Sequence, residues 1–189
     1  MLRAGEDRDF EGPGVLILTG PPGVGKTTVA GHLAQRERRS VHLEADRFFF
    51  FIKSGFVEPW EPESHEQNQM VMRTAAEAAA KYAQAGYSTV FEGIVIPRWT
   101  LKVVRETLEA AGIPTSYAVL RAPRAHCIAR VQEREGIPDA YAPDMLAALC
   151  SEFDDLEAFE RHAIDVVGLD AEQAAAAVAA RLDEGDLAL

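Results

Sequence analysis

Positive charge is scarce in this chain. Only 19 Lys and Arg stand against 30 Asp and Glu, a formal net charge of −11 over 189 residues. A surface of that sign opposes tight binding to a nucleic-acid backbone, so no nucleic-acid partner is expected. Cysteine is scarce too. Cys127 and Cys150 form no C-x-x-C pair and have no metal-ligand spacing, which excludes a disulfide framework and a thiolate zinc site. Such thiols suit a reducing compartment. No apolar run approaches the roughly 20 residues of a membrane span. The segment Met1 to Gly14 is charged and Gly-rich with no apolar h-region, so residues 1–12 read as a frayed leader and not as a signal peptide. The expected location is cytoplasmic, with no membrane partner. The H-R-D and D-F-G signatures of protein kinases are absent. There is no internal repeat and no low-complexity linker. With 48% hydrophobic residues, the chain reads as one globular domain with a full core over 1–189, its tail 183–189 frayed.

What is present is concentrated in one stretch. Gly20-Pro21-Pro22-Gly23-Val24-Gly25-Lys26-Thr27 fits the phosphate-loop pattern G-x-x-x-x-G-K-[ST] at every fixed position. Before it stands Val15-Leu16-Ile17-Leu18-Thr19, an apolar run suited to a buried strand. After it, from Thr28 to Arg36, comes a helical pattern with Val29 and Leu33 on one face. Glycines let the loop backbone turn tightly and approach an anion. The turning amides and the helix N-terminus then form an anion nest. Lys26 can reach the β- and γ-phosphates, and Thr27 can place its hydroxyl on Mg²⁺. The stretch therefore predicts binding of a nucleoside triphosphate with Mg²⁺.

Strands and helices alternate through the rest of the chain, which predicts one α/β domain with a five-stranded parallel sheet. Strand two is Ser40 to Glu44 and delivers Asp46 at its carboxyl end. Ligands of open parallel sheets bind beyond the carboxyl ends of the strands. A carboxylate there can take the proton of an attacking hydroxyl; the competing reading is a helix cap. Next come Phe48-Phe49-Phe50-Phe51-Ile52, Phe56 and Trp60. Four consecutive aromatics cannot all face one side of a regular element. Some belong to the core, and others, with Phe49 and Trp60 as candidates, line an acceptor pocket beside Asp46. A helix is predicted over Ser64–Ala85, with Met70, Val71, Thr74, Ala78 and Tyr82 at helical spacing; Gln67, Asn68 and Arg73 on it can either touch the acceptor or face solvent.

Strand three ends in Glu92-Gly93, where Glu92 can orient Mg²⁺, bind substrate or serve structure. Arg98 opens a helix running to Ala111. A cation is unfavourable at a helix start, which points to a ligand or partner for Arg98. After strand four, Arg130 and Arg134 share a helix face and suit phosphate or adenine contacts; surface acids are their alternative partners. Residues 136–144 carry hinge-like Gly and Pro and suit a mobile lid. A helix over Met145–Arg161, strand five over Ala163–Val167 and a helix capped by Asp170 complete the chain.

On these residues the chain resembles the small P-loop kinases grouped with shikimate kinase, gluconate kinase, chloramphenicol phosphotransferase and the zeta toxins. The shared pattern is GPPGVGKTT at 20–28, Asp46 just past strand two, and an Arg-bearing helix plus loop after strand four. The resemblance implies a P-loop NTPase three-layer sandwich, sheet order 2-3-1-4-5, and a helical lid over ATP. It also implies Asp46 as the base that deprotonates the acceptor hydroxyl, and Arg134 and Arg130 as lid arginines, one on phosphate and one on adenine, in an order it does not fix. Val167 and Gly168 would lie near the adenine, and Thr28 completes the loop. The strand-three end lacks the Gly-Gly pair of shikimate kinase, and no basic set surrounds Asp46. With the aromatics of 48–60, this points to a larger, partly apolar acceptor.

Three functions follow. The leading one is an ATP-dependent phosphotransferase that moves the γ-phosphate to a hydroxyl of a small molecule, such as an antibiotic, nucleoside or sugar. A zeta-toxin-like or regulatory P-loop NTPase is the second. A nucleoside monophosphate kinase is the third, disfavoured because its anionic acceptor needs arginines and not a base beside phenylalanines.

Overall fold

The computed structural model of the chain describes residues 14–133 and 143–189. Among the described residues there are five strands: β1 (Val15–Thr19), β2 (Ser40–Glu44), β3 (Ser88–Glu92), β4 (Thr115–Arg121) and β5 (Ala163–Asp165). All their pairings are parallel, in the order β2-β3-β1-β4-β5. Both the parallel sheet and its order agree with the sequence-based expectation. The central strand β1 is apolar on both sides because helices cover both faces. In β1, Val15 and Ile17 enter one core cluster while Leu16 and Leu18 enter the other, as the twofold alternation of a strand requires.

The first face is covered by α2 (His65–Gln84) and α3 (Lys102–Ala110). The second is covered by α1 (Lys26–Gln35), α4 (Arg124–Gln132) and α6 (Ala171–Asp183). A further helix, α5 (Pro143–Ser151), sends Leu146 and Cys150 into the second cluster while Leu149 packs against the first. Asp170 caps α6 as expected: its carboxylate accepts from the Gln173 backbone N–H, and the Gln173 side chain answers on the Asp170 N–H.

Four expectations need correction. The buried face of α2 is Val71, Met72, Ala75, Ala76, Ala79, Ala80 and Ala83, while Met70, Thr74 and Tyr82 are exposed. Alanines make up five of the seven buried residues, with Val71 and Met72 as the larger members of that face. The helix expected over Met145–Arg161 is broken. It ends at Ser151 and resumes as a 3₁₀ segment over Glu157–His162. Asp155 accepts from the Glu157 N–H and Glu160 from the Leu156 N–H, so side chains take donors that a continuous helix would use. Strand five stops at Asp165, two residues early. Finally, the tail is not frayed. β5 pairs only with Val119–Arg121, leaving the first half of β4 without a neighbour on that edge. The tail fills it: Tyr117 N–H donates to Leu187 O, Leu189 N–H donates to Thr115 O, and Leu187 is fully buried. The expected leader, residues 1–12, lies outside the described residues.

Candidate active site

The phosphate loop is held in its shape by what its glycines avoid. Gly20, Gly23 and Gly25 all have left-handed φ, at 145°, 83° and 105°. A Cβ on Gly20 would also run into the Leu120 carbonyl oxygen, and one on Gly23 into that of Cys127. Conformation and space thus both require glycine there. Pro21, Pro22 and Val24 are buried, and Val24 N–H donates to Pro21 O, which closes the turn. The loop delivers the chain into α1, which begins at Lys26; among the described residues no side chain caps it. Its first amides are therefore presented to whatever lies in the loop. Lys26 is 8% exposed and its ammonium donates to Gly20 O at 2.9 Å and Pro21 O at 3.2 Å. Thr27 and Thr28 are exposed at the helix start. A compact cation over a ring of amides is a donor set that fits a triphosphate.

Asp46 follows β2 inside a 3₁₀ segment, Ala45–Phe51, and is not its N-cap; Glu44 holds that position. Its Oδ1 accepts from Ile94 N–H at 3.3 Å, which joins the ends of β2 and β3. Burial raises its pKa, opposed by the charge of Lys26 and reinforced by Glu92. Gly93 makes the approach possible. A Cβ there would sit 3.2 Å from both Ala45 Cβ and Asp46 Oδ1, too tight without displacement. Nothing local in the sequence marks Gly93 for this role, since Ala45 and Asp46 reach it only in the fold.

Glu92 is 5% exposed at the end of β3. Its Oε2 accepts from Thr27 Oγ1 at 3.3 Å and lies 3.4 Å from His42 Nε2. Thr27 and Glu92, both metal candidates, are thus in contact. Among the described residues no group of three His, Cys, Asp or Glu could hold a metal. Two oxygen donors with the rest left to phosphate and water fit Mg²⁺, which sheds its water reluctantly. His42, which braces Glu92, was not found from the sequence. It sits in mid-strand, and only the β2–β3 register brings it beside the carboxylate.

An apolar cleft opens beside Asp46, and both Phe49 and Trp60 line it. Phe50, 69% exposed, and Phe56 stand at the same cleft, with Met72 from α2 and Leu149 from α5. Ile94, Ile96 and Trp99, which the sequence reading missed, form its other wall. Their signal is the apolar run Ile94-Val95-Ile96 just after β3. Gln67 does not face an acceptor: its amide bonds both the N–H and the C=O of Val57 and so pins the aromatic loop. Arg73 is exposed. Arg98 does not line the cleft. It lies 3.7 Å from Glu157 and borders a second cavity. The partner anticipated for its awkward position at a helix start is a surface acid.

Arg130 reaches the loop from α4, with a guanidinium nitrogen 3.7 Å from where a Gly25 Cβ would be. Arg134, together with 136–142 of the expected lid, lies outside the described residues; Pro143 and Asp144 begin α5. Val167 and Gly168 form a turn after β5. Val167 is 56% exposed, and Gly168 has a left-handed φ of 76°.

Residues 15–149 match the AAA domain family. No curated protein sequence matches the chain significantly. Solved structures share the fold. The tunicamycin resistance protein of Deinococcus radiodurans is 23% identical, with a TM-score of 0.66, over 89% of this chain and 95% of that one. The APS kinase of Mycobacterium tuberculosis, in complex with AMPPNP and APS, is 17% identical, with a TM-score of 0.67, over 90% and 97%. A gluconokinase of Sinorhizobium meliloti is 21% identical, with a TM-score of 0.58, over 92% and 95%.

Proposed function

The chain belongs to the AAA domain family and has the P-loop NTPase fold, and on that footing we propose that it is an ATP-dependent small-molecule kinase that moves the γ-phosphate to an acceptor hydroxyl. The observation that carries the reading is the placement of Asp46. A carboxylate held by Ile94 N–H lies within the field of Lys26 and at the same time lines an apolar cleft. A pure NTPase needs no carboxylate on an acceptor cleft.

Asp46 accepts the hydroxyl proton as the acceptor oxygen bonds to the γ-phosphorus. The bond from that phosphorus to the β–γ bridging oxygen breaks, and ADP leaves with the electron pair. A pKa raised by burial makes Asp46 a stronger base than an ordinary carboxylate. Lys26 and the loop amides hold the triphosphate and offset charge on the moving group. Arg130, beside Gly25, adds a second cation on the phosphate side; Arg134 is assigned the same neighbourhood. Thr27 and Glu92 would hold Mg²⁺, which, when bound, offsets charge on the phosphate oxygens. Val167 and Gly168 are assigned to the adenine edge.

The test offers γ-labelled ATP, Mg²⁺ and a panel of hydroxylated antibiotics, nucleosides and sugars to the purified protein. Label should pass to one compound class. Asp46→Asn should bind ATP normally and transfer about 10²-fold more slowly or worse, and Lys26→Ala should lose both. Release of label only as free phosphate, at a rate that no compound changes, would overturn the kinase reading.

A further inference from the structure

Resting on that kinase reading, we propose that the acceptor is a non-anionic, ring-bearing alcohol with a second hydrogen-bond donor, and that Asn68 receives that donor. Among the described residues the charged groups on the cleft wall are Asp46 and Glu58, and no Lys, Arg or His lines it. Arg98, adjacent in sequence to Trp99 of the wall, is turned to Glu157 instead. An anionic acceptor would therefore bring its charge next to two carboxylates, with no cation among the described residues of the cleft wall to offset it. Five aromatic side chains line the cleft: Phe49, Phe50, Phe56, Trp60 and Trp99. Rings gain most from such walls, by offset or edge-on stacking; an open polyol would leave its hydroxyls unpaired against them.

Asn68 supplies the polar requirement. Its Nδ2 donates to Pro59 O at 2.7 Å and to Ser64 Oγ at 2.9 Å, which fixes the orientation of the amide. Its Oδ1 is buried and has no hydrogen-bond partner among the described residues. A buried acceptor without a donor is costly, and Asn68 lines the cleft. An N–H or second O–H of the acceptor molecule, placed there while its reacting hydroxyl faces Asp46, relieves that cost and sets the orientation of the ring.

The only two tryptophans of the chain, Trp60 and Trp99, both line this cleft, so intrinsic emission reports its occupancy. The probes are N-acetyl-3-phenylserine and its primary amide, which share the ring, the hydroxyl and the acetamido N–H; the amide replaces the carboxylate with a neutral group that adds two N–H donors. The amide should quench saturably with a Kd at least about tenfold below that of the acid. Asn68→Leu should raise the Kd of the amide about tenfold, as loss of one buried hydrogen bond predicts. Glu58→Lys, at an exposed position of the rim, should narrow the gap between amide and acid severalfold, and it keeps the charge argument testable if Asn68→Leu fails to fold. Equal affinity for acid and amide, an unchanged Kd in folded Asn68→Leu, or no quenching by either probe overturns the proposal. Label transfer from ATP is read on the same samples with gluconate added as a third compound. Quenching by the amide, with label released only as free phosphate at a rate that no compound changes, removes the kinase reading and leaves the preference of the cleft standing. Transfer to the acid or to gluconate keeps the kinase and overturns this inference.

Discussion

Asp46 sits where burial works against its charge, and this has opposite effects on stability and activity. Its folded-state pKa is raised, so between the ordinary carboxylate range and that raised value the native state holds more protons than the unfolded chain. Its contribution to stability is full below the unfolded pKa and is lost as pH rises through the folded one. Asp46→Asn should therefore raise Tm at pH 7.5 while slowing transfer about 10²-fold or more. The gain should shrink as pH is lowered toward 4, which thermal melts of the two proteins at both pH values would reveal; a variant that melts lower at pH 7.5 would mean that the Ile94 contact matters more than the buried charge. Gly93→Ala acts on the same atom by sterics. It should slow transfer about tenfold by moving the carboxylate a few tenths of an ångström, with Tm changed by no more than a few degrees. Asp46 and Lys26 were legible in the sequence because a strand end and a loop motif mark them. Gly93, His42 and the orphan Asn68 Oδ1 were not, because each acquires its meaning from a neighbour more than 45 positions away or from an unpaired lone pair, and neither leaves a local pattern.

Elements were read well where one local rule decides them and poorly where tertiary contacts do. The strand–loop–helix unit around Lys26 and the capping box at Asp170 follow local rules. The alanine face of α2 does not. Alanine has little hydrophobic weight, so counting large apolar residues shifts the face toward Met70 and Tyr82. The C-terminal tail is the clearest case. Its seven residues include three acids and a glycine and look like solvent-exposed chain, yet β5 is too short to cover β4 and the tail completes the sheet edge. Leu187→Ala should then behave as a core substitution and cost about 2–4 kcal/mol, a fall in Tm of roughly 5–15 °C for a domain of this size. A fall under about 2 °C in calorimetry would show that the tail merely rests on the surface. Phosphotransfer at 25 °C should be unaffected, since the tail pairs with the first residues of β4 and the site lies beyond the carboxyl ends of the strands.

At the scale of the molecule, one buried ring joins the parts that the two faces of the sheet leave separate. His162 is 1% exposed; its Nδ1–H donates to Tyr117 O at 2.9 Å and its Nε2 accepts from Arg161 Nε at 3.1 Å. That pairing requires the neutral tautomer. Arg161 also donates to Ala188 O, and Arg181 of α6 donates to Arg161 O, so the ring is tied to β4, the tail and the last helix together. The Tyr117 hydroxyl carries the connection to Val95 O, between the cleft residues Ile94 and Ile96. Burial, with Arg161 and Arg181 nearby, lowers the pKa of His162 from its ordinary 6.5. The unfolded chain then binds the proton first, and stability falls as pH drops below that value. Between pH 7.5 and 5.5 this one group can remove at most about 1.4 kcal/mol. Urea titrations of the native protein should show a loss of up to that size. His162→Gln should be less stable at pH 7.5 but lose less on acidification, because nothing at the position titrates. An equal loss in both proteins would assign the acid sensitivity to other groups. Because the ring is bonded to the sheet, the tail and, through Tyr117, the cleft, the emission of Trp60 and Trp99 should change in the same transition as the far-UV circular dichroism at pH 5.5. An earlier change in emission would mean that the cleft opens on its own, ahead of the fold that supports it.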